Sequence, residues 1–444
     1  MRIMIVGSGA REHAIARAFA QSAAKPVLAC CGTTYNPGIQ QLTSEYWIGD
    51  ICCVEQVIQK ALEWQIKLVI IGPEAPLAAG LVDALQQQGI ATVGPKKIVA
   101  QLETSKIFTR MLLKKYQIPG SLKFHAFSSL IGVMEFLHVL GADQYVIKAD
   151  GLMSGKGVKV AGEHLHSFTE AYEFCASLLN AGGSFIIEEK LIGQEFSLLS
   201  FCDGKHLIPM PLVQDHKRAF VDDLGPNTGG MGSYSDANHS LPFLTTDDIV
   251  AAQEINTAVI AALARECGVY YQGILYGSFM VTGDGVRLIE YNARFGDPEA
   301  LNVLAILDCD FTELCQALVA GNLQHAQVRF KPLATVCKYA VPFGYPDKPE
   351  KHSLIDVSAV TNHEQLYFAA VNDIDGELYT TGSRAVAVVG IAPTIAAAEM
   401  IAENEINCIR GRLFHREDIG QTQLIKRRIK MMQSLRAAVN ELST

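Results

Sequence analysis

Residues Lys148 to Val158 read KADGLMSGKGV, and the fold of the chain turns on what this stretch is. Glycine with lysine commonly means phosphate, so the question is which phosphate device it forms. A Walker loop needs G-x-x-x-x-G-K-[ST], with its Ser or Thr reaching a magnesium ion at a helix N-terminus. Here Gly151 and Gly155 stand one residue too close, and Gly157 follows Lys156 where Ser or Thr belongs. The chain then continues as VKVAG, a strand pattern. QYVIKADG and GVKVAG therefore predict an antiparallel hairpin around a glycine loop. Its tip, Ser154, Gly155, Lys156 and Gly157, can close over phosphates because glycine N–H groups approach oxygens without a Cβ in the way. A plain flexible hairpin competes with that reading while the loop is taken alone.

Lys148 lies inside the apolar run YVIKA, where an unpaired ammonium is costly to bury and a phosphate anion is a suitable partner. On this reading Lys148→Met weakens nucleotide binding and leaves stability equal or higher. About thirty residues after the loop comes IIEEKLIGQE. An extended segment there can read an adenine edge, with Glu188 and Leu191 flanking the base and Glu195 on the ribose. An exposed acidic strand end fits the same residues equally well.

RLIEYNARFGDPEA is more specific. Strict alternation puts Leu288, Glu290, Asn292 and Arg294 on one face, and Ile289, Tyr291 and Ala293 on the other. The carboxylate of Glu290 and the amide oxygen of Asn292 suit magnesium, which takes one or two carboxylates and completes its shell with water and substrate phosphates. Arg294 on the same face can hold a transferring phosphoryl group or an acyl phosphate. A polar solvent face competes here too.

Working outward, the first hundred residues alternate strand runs (RIMIV, KPVLACC, IKLVIIG, IATVG) with helical ones (REHAIARAFAQS, AAGLVDALQQQG), which predicts a parallel α/β domain over 1–103. Its first loop, VGSGAREHA, has Gly7 and Gly9 but Glu12 where a dinucleotide fingerprint wants a small residue. The second strand ends in Cys30-Cys31-Gly32 without an acidic residue for a ribose, which argues against nicotinamide. A helix N-terminus beside Arg11 remains a fair site for a sugar phosphate. A middle region over 104–329 holds the glycine hairpin in a lid of about 121–190. A last block, 330–444, carries ATVCKYAV, RAVAVVG and a closing helix whose KRR is expected on a solvated face.

The bulk properties exclude several classes. Hydrophobic residues make up 49% and charged ones 19% of 444 residues, a globular balance. The net charge of −9, with no basic block before the tail, gives no support for a nucleic-acid partner. No apolar run nears the roughly 18 residues of a membrane span. RIMIVGSG is too short and glycine-broken for a signal peptide, so a cytoplasmic protein is expected. The eleven cysteines form no C-x-x-C and read as buried thiols.

Taken in order, VGSGAREHA, IGPEAPL, QLETSKIFTR, IKADGLMSGKGV, QDHKRAFVDDLGPNTGGMGSYS, EYNARFGDPE and HREDIG resemble the glycinamide ribonucleotide synthetase (phosphoribosylamine–glycine ligase) family over nearly the whole chain. The resemblance implies an ATP-grasp fold with an N-terminal Rossmann-like domain and a small C-terminal α+β domain. It implies that ATP phosphorylates glycine and that the amine of 5-phosphoribosylamine attacks the glycyl phosphate, giving glycinamide ribonucleotide, ADP and phosphate. It also implies Lys106, Lys148 and Ser154–Gly157 on the phosphates and Glu290 with Asn292 on Mg2+ or Mn2+. Gly9, Arg11, Glu12 and Glu74 would meet the amine substrate; Asp215, Arg294 and Asp297 would face the reacting carboxylate. A monomer is expected. A ligase of the same fold joining another acid and amine stays open, as does a nucleotide-binding regulator without turnover.

The chain departs from the family in places. Ala300 and Leu301 follow RFGDPE where a small residue and Gln are usual. Tyr367-Phe368-Ala369-Ala370-Val371 stands for FHAGT, and Gly382-Ser383-Arg384 for GGR. Arg384 keeps a charge for the sugar phosphate, so any weakness is expected on the amine side.

Overall fold

The computed structural model describes residues 1–152 and 157–442; the expected phosphate residues Ser154, Gly155 and Lys156 lie outside them. Strands are numbered along the chain. β1 (Arg2–Val6), β2 (Val27–Gly32), β3 (Glu45–Ile48), β4 (Leu68–Ile71) and β5 (Ala91–Val93) form one parallel sheet in the order β3-β2-β1-β4-β5. β1 and β4 are almost wholly buried, which is why RIMIV and LVII are continuous apolar runs. The strand order reverses between β1 and β4. In open α/β sheets ligands bind in the crevice beyond the carboxyl ends of strands at such a point. Gly7–Glu12 follows β1 and Gly72–Glu74 follows β4, so both loops open on that crevice.

The glycine hairpin is present. β7 (Tyr145–Ala149) pairs antiparallel with β8 (Val158–Val160), Lys148 opposite Val158, in a sheet with β6 (Phe124–Phe127) and β9 (Phe185–Glu189) ordered β6-β9-β7-β8. Phe127, Leu137, Tyr145, Ile147, Phe185 and Ile187 give this sheet and its two covering helices a core separate from the main one.

β10 (Gln194–Cys202) and β11 (Leu207–Pro209) join β16 (Gly273–Thr282) and β17 (Gly285–Asn292) in an antiparallel sheet ordered β11-β10-β16-β17. Here the structure corrects the alternation read from the sequence. Ser278 faces Glu290 but Phe279 faces Leu288, so Ile289 is the extra residue of a β-bulge. Leu288 therefore sits in the core with Tyr291 and Ala293, and only Glu290, Asn292 and Arg294 share the other face. One inserted residue flips everything beyond it, and a period of two cannot announce it.

Between these strands lie β12 (Gln214–Asp215), the hairpin β13 (Arg218–Phe220) with β14 (Leu224–Asn227), and β15 (Gly232–Ser235). After residue 330 come β18 (Ala334–Pro342), β19 (Leu354–Asp356), β20 (Leu366–Phe368), β21 (Val371–Ile374), β22 (Glu377–Thr380), β23 (Val386–Ala392), β24 (Arg410–Gly411) and β25 (Leu413–Phe414). They form a sheet ordered β12-β15-β18-β23-β20, with β25 against β18, and a smaller one ordered β21-β22-β19-β24. The larger sheet straddles the boundary read near 330, because β15 pairs with β18, Tyr234 opposite Val336.

Two further expectations change. The closing helix, Thr422–Leu442, does not turn its KRR wholly to solvent: Arg428 is largely buried on Asp223. Six of the eleven cysteines are buried, but Cys52 is exposed and Cys53, Cys267, Cys309 and Cys408 are half-buried; all are free thiols. No helix among the described residues is long and apolar enough to cross a membrane.

Candidate active site

Three parts of the chain converge at the end of β17. The first is the hairpin sheet. Lys148 on β7 is not an unpaired cation awaiting phosphate: its Nζ lies 2.8 Å from Oε2 of Glu188 on β9. The other Glu188 oxygen accepts from Nε of Arg110, whose Nη1 and Nη2 donate to the carbonyls of Leu288 (3.0 Å) and Ile289 (2.8 Å) at the bulge. Burial would raise the Glu188 carboxyl, but Arg110 and Lys148 hold it down at about 2. Both oxygens of the Glu188 carboxylate are thus engaged by cations. Leu191 lies two residues past the end of β9 and is half-buried. Lys106 opens the helix Lys106–Lys115 and donates to the carbonyl of Gly151 at 2.9 Å. Gly157 accepts the Ala149 N–H at 2.8 Å, closing the base of the loop.

The second part is the half-buried polar face of β17 with the strands beside it. Burial works to raise the Glu290 carboxyl, and the charges of Lys217, Lys148, Lys106 and Arg294 overcome it and keep it below the usual range. Asn292 turns Oδ1 to Arg294 Nη2 at 3.3 Å. Glu195 on β10 accepts from Lys217 at 3.1 Å. Asp215 behaves oppositely to Glu290. Burial, then the nearby charge of Glu299, push its carboxyl well up, against Lys217 and Arg384, and its Oδ1 has no hydrogen-bond partner among the described residues. Gly230, at φ +109°, lets the chain pass: a Cβ there would stand 2.7 Å from that Oδ1.

The third part is the crevice of the parallel sheet. Glu12 caps its own helix by accepting the Gly9 N–H at 2.6 Å, and its other oxygen takes Nε of Arg11 at 2.5 Å. A Cβ on Gly72 would meet Glu12 Oε1 at 1.9 Å, so only glycine lets the two loops close around that carboxylate. Arg11 reaches across to the Phe295 carbonyl at 3.2 Å. Arg294 is the junction: its Nη2 lies 2.9 Å from Glu103 and its Nε 3.4 Å from Glu74. Asp297 accepts from the Tyr339 hydroxyl at 2.5 Å and pairs with Arg384 at 3.3 Å, while Arg384 Nη1 donates to the carbonyls of Gly229, Gly230 and Asp297.

One carboxylate and one amide oxygen, Glu290 and Asn292, are hard donors on one face, with Glu290 held ionised. Among the described residues no group of three or more His, Cys, Asp or Glu side chains gathers as a metal cage. That set fits a divalent cation of the magnesium type, which leaves most positions to water and phosphate oxygens.

Comparison with known proteins agrees with this arrangement. Residues 1–103, 104–300 and 335–422 match, in turn, the phosphoribosylglycinamide synthetase N domain, ATP-grasp (A) domain and C domain. The chain belongs to the phosphoribosylglycinamide synthetase family. It is 46% identical over 436 residues to a phosphoribosylamine–glycine ligase of Methanosarcina barkeri, covering 98% of this chain and all of that one. It is similar to the crystal structure of a phosphoribosylamine–glycine ligase from Thermotoga maritima, at a TM-score of 0.79 and 28% identity, over 94% of this chain and 100% of that one. The biotin carboxylase domain of a Hydrogenobacter thermophilus 2-oxoglutarate carboxylase shares the fold, at a TM-score of 0.72 and 15% identity, over 97% of this chain and 93% of that domain. The middle of this synthetase-family chain is thus an ATP-grasp fold, set between the parallel α/β domain and the C-terminal strands.

Sequence reading missed four residues that this family member places in the site. Arg110 sits one helical turn after Lys106, a spacing that puts both on one side of the helix. Lys217 lies inside QDHKR, two residues after Asp215. Glu103 lies near the end of the helix before Lys106, and Glu299, buried, accepts from the Tyr276 hydroxyl at 2.5 Å. Both lie inside quoted stretches, QLETSKIFTR and EYNARFGDPE, but only tertiary contact shows what they touch.

Proposed function

We propose that this protein joins glycine to 5-phosphoribosylamine with ATP, giving glycinamide ribonucleotide, ADP and phosphate. The observation that supports it best is the convergence on Arg294, which ties the crevice carboxylate Glu74 to the Glu290–Asn292 face in a chain of this family. A glycine carboxylate oxygen attacks the γ-phosphorus and ADP leaves; the amine nitrogen then attacks the acyl carbon and phosphate leaves. Lys106, Lys148 and the loop Ser154–Gly157 take the phosphates, Glu188 and Leu191 flank the base and Glu195 holds the ribose. Glu290 and Asn292 hold Mg2+ or Mn2+, which when bound neutralises phosphate charge. Arg294 orients the acyl phosphate, as preorganised cations do for phosphoryl groups. Asp215, whose carboxyl is pushed up by burial and by Glu299, is suited to receive at Oδ1 the proton that the amine gives up. Gly9, Arg11, Glu12, Glu74 and Arg384 form the amine side, and Asp297 faces the reacting carboxylate with Asp215 and Arg294. The division into 1–103, 104–329 and 330–444, a cytoplasmic location and a monomeric state belong to the same reading.

The test is a coupled assay of phosphate release with ATP, glycine and freshly made phosphoribosylamine. Release that requires both glycine and phosphoribosylamine is expected. Release that is indifferent to the amine, or faster with another one, overturns the reading.

A further inference from the structure

The hairpin β13–β14 turns through Asp222 and Asp223, which hold φ of +65° and +58°. Consecutive left-handed residues other than glycine persist where surroundings fix them, and here the end of the chain supplies the fixing. Arg416, with no exposed surface, forks onto both oxygens of Asp418 (2.9 and 2.7 Å) and donates to Asp223 Oδ1 at 2.9 Å. Asp418 in turn accepts the Asp222 N–H at 3.0 Å. Arg428, from the closing helix, reaches further: Nη2 donates to Asp223 Oδ2 at 2.9 Å and Nη1 to Gln194 Oε1 at 2.7 Å.

Those two acceptors stand on the two backbones that carry one ion pair of the site. Gln194 opens β10 immediately before Glu195, and Lys217 immediately precedes β13. The planar guanidinium holds two acceptors at a set angle, which an ammonium cannot do. His216, the residue before Lys217, is buried, with neither ring nitrogen partnered among the described residues. Burial, then Arg428 and Arg416, outweigh Asp223 and keep it neutral.

We propose that Arg428 is a positioning residue of the nucleotide site, fixing through Asp223 and Gln194 where the Lys217 ammonium stands beside Glu195, the residue read as holding the ribose. This rests on the nucleotide half of the proposed function and not on which amine is used. The experiment measures Mg2+–ADP affinity by calorimetry on the full chain, with thermal melting alongside. Arg428→Gln and Asp223→Ala, which both remove the Arg428–Asp223 hydrogen bond, are each expected to weaken ADP about tenfold, the order for one lost charged hydrogen bond. Arg428→Lys should fall between wild type and Arg428→Gln, and it carries the test should Arg428→Gln not fold. In a Lys217→Met background Arg428→Gln should cost nothing further, because the residue it positions is gone. A purely structural Arg428 would instead give the same loss in both backgrounds. That result overturns the proposal, as does Arg428→Gln binding ADP like wild type. Wild-type protein that binds ADP but shows no amine-dependent turnover would sink the activity assigned above and leave this test intact.

Discussion

The nucleotide side of the site and its amine side are built in different ways. On the nucleotide side, Lys148 and Glu188 come from adjacent strands of one small sheet, and Arg110 closes a buried triad. On the amine side the parts come from far along the chain: Arg11 and Phe295, which share a hydrogen bond, are 284 residues apart. Asn36 likewise bridges the carbonyls of Ser8 and Phe368. Removing a charge from the first side strands a buried partner. Breaking a hydrogen bond on the second side loosens a seam between distant stretches of chain. The first should therefore show in stability and nucleotide binding together, and the second in the amine constant alone.

The largest effect that could break this contrast is at Glu290. Glu290→Gln keeps the shape but removes the charge, and turnover should fall about 10²–10³-fold. Circular dichroism should find the fold intact; a folded Glu290→Gln protein with near-normal phosphate release would remove this face from the chemistry.

Lys148→Met comes next, and the structure reverses what the sequence alone suggests for stability. The substitution leaves Glu188 buried against Arg110 only, so a loss of about 3 kcal/mol is expected, the low end for breaking a buried pair. Denaturant melts would measure it, with weaker ADP binding beside it. Unchanged stability would mean that Arg110 alone satisfies Glu188. The pH dependence sharpens the point. Because the Glu188 carboxyl is held at about 2, below its ordinary 4.5, its contribution is complete above pH 4.5 and lost as pH falls towards 2. Lys148→Met should raise that carboxyl and move the acid midpoint of unfolding upward. An unmoved midpoint would assign the depression to Arg110 by itself.

The smallest effect belongs to the amine seam. Phe368 donates its N–H to His13 Nδ1 at 3.1 Å, and its ring lies over the imidazole with centroids 5.9 Å apart and planes 4° from parallel. Phe368→His restores a polar group beside the Ser8 loop. It should lower the KM for phosphoribosylamine by up to about tenfold, the worth of one hydrogen bond, and leave that for ATP alone. An equal shift in both constants would erase the distinction between the two sides.

Much of this arrangement is legible in the sequence because it follows local rules. The parallel sheet declares itself by alternation, and the glycine hairpin by exclusion of a Walker loop. What escapes has a physical reason in each case. Ile289 is an inserted residue that no periodicity contains, so alternation puts Leu288 on the wrong face. The two cationic partners of Glu188 escape because they lie on another strand and another helix. KRR reads as solvated because Asp222 and Asp223, its partners, precede it by about two hundred residues. Leu301, where the family usually has Gln, is wholly buried in the main core, so that departure answers to packing.

The pairing of β15 with β18 has a consequence for how the chain is made. Ser233 faces Cys337, so on the ribosome β15 emerges about a hundred residues before its partner strand exists. At ordinary elongation rates that is a wait of roughly 5–20 s. Through it, β15 can pair with β12 on one side but offers a bare edge on the other, an invitation to pair with a neighbouring nascent chain. β15 can meet β18 only after translation has passed residue 342, and the larger C-terminal sheet can close only after it has passed residue 392, the end of β23.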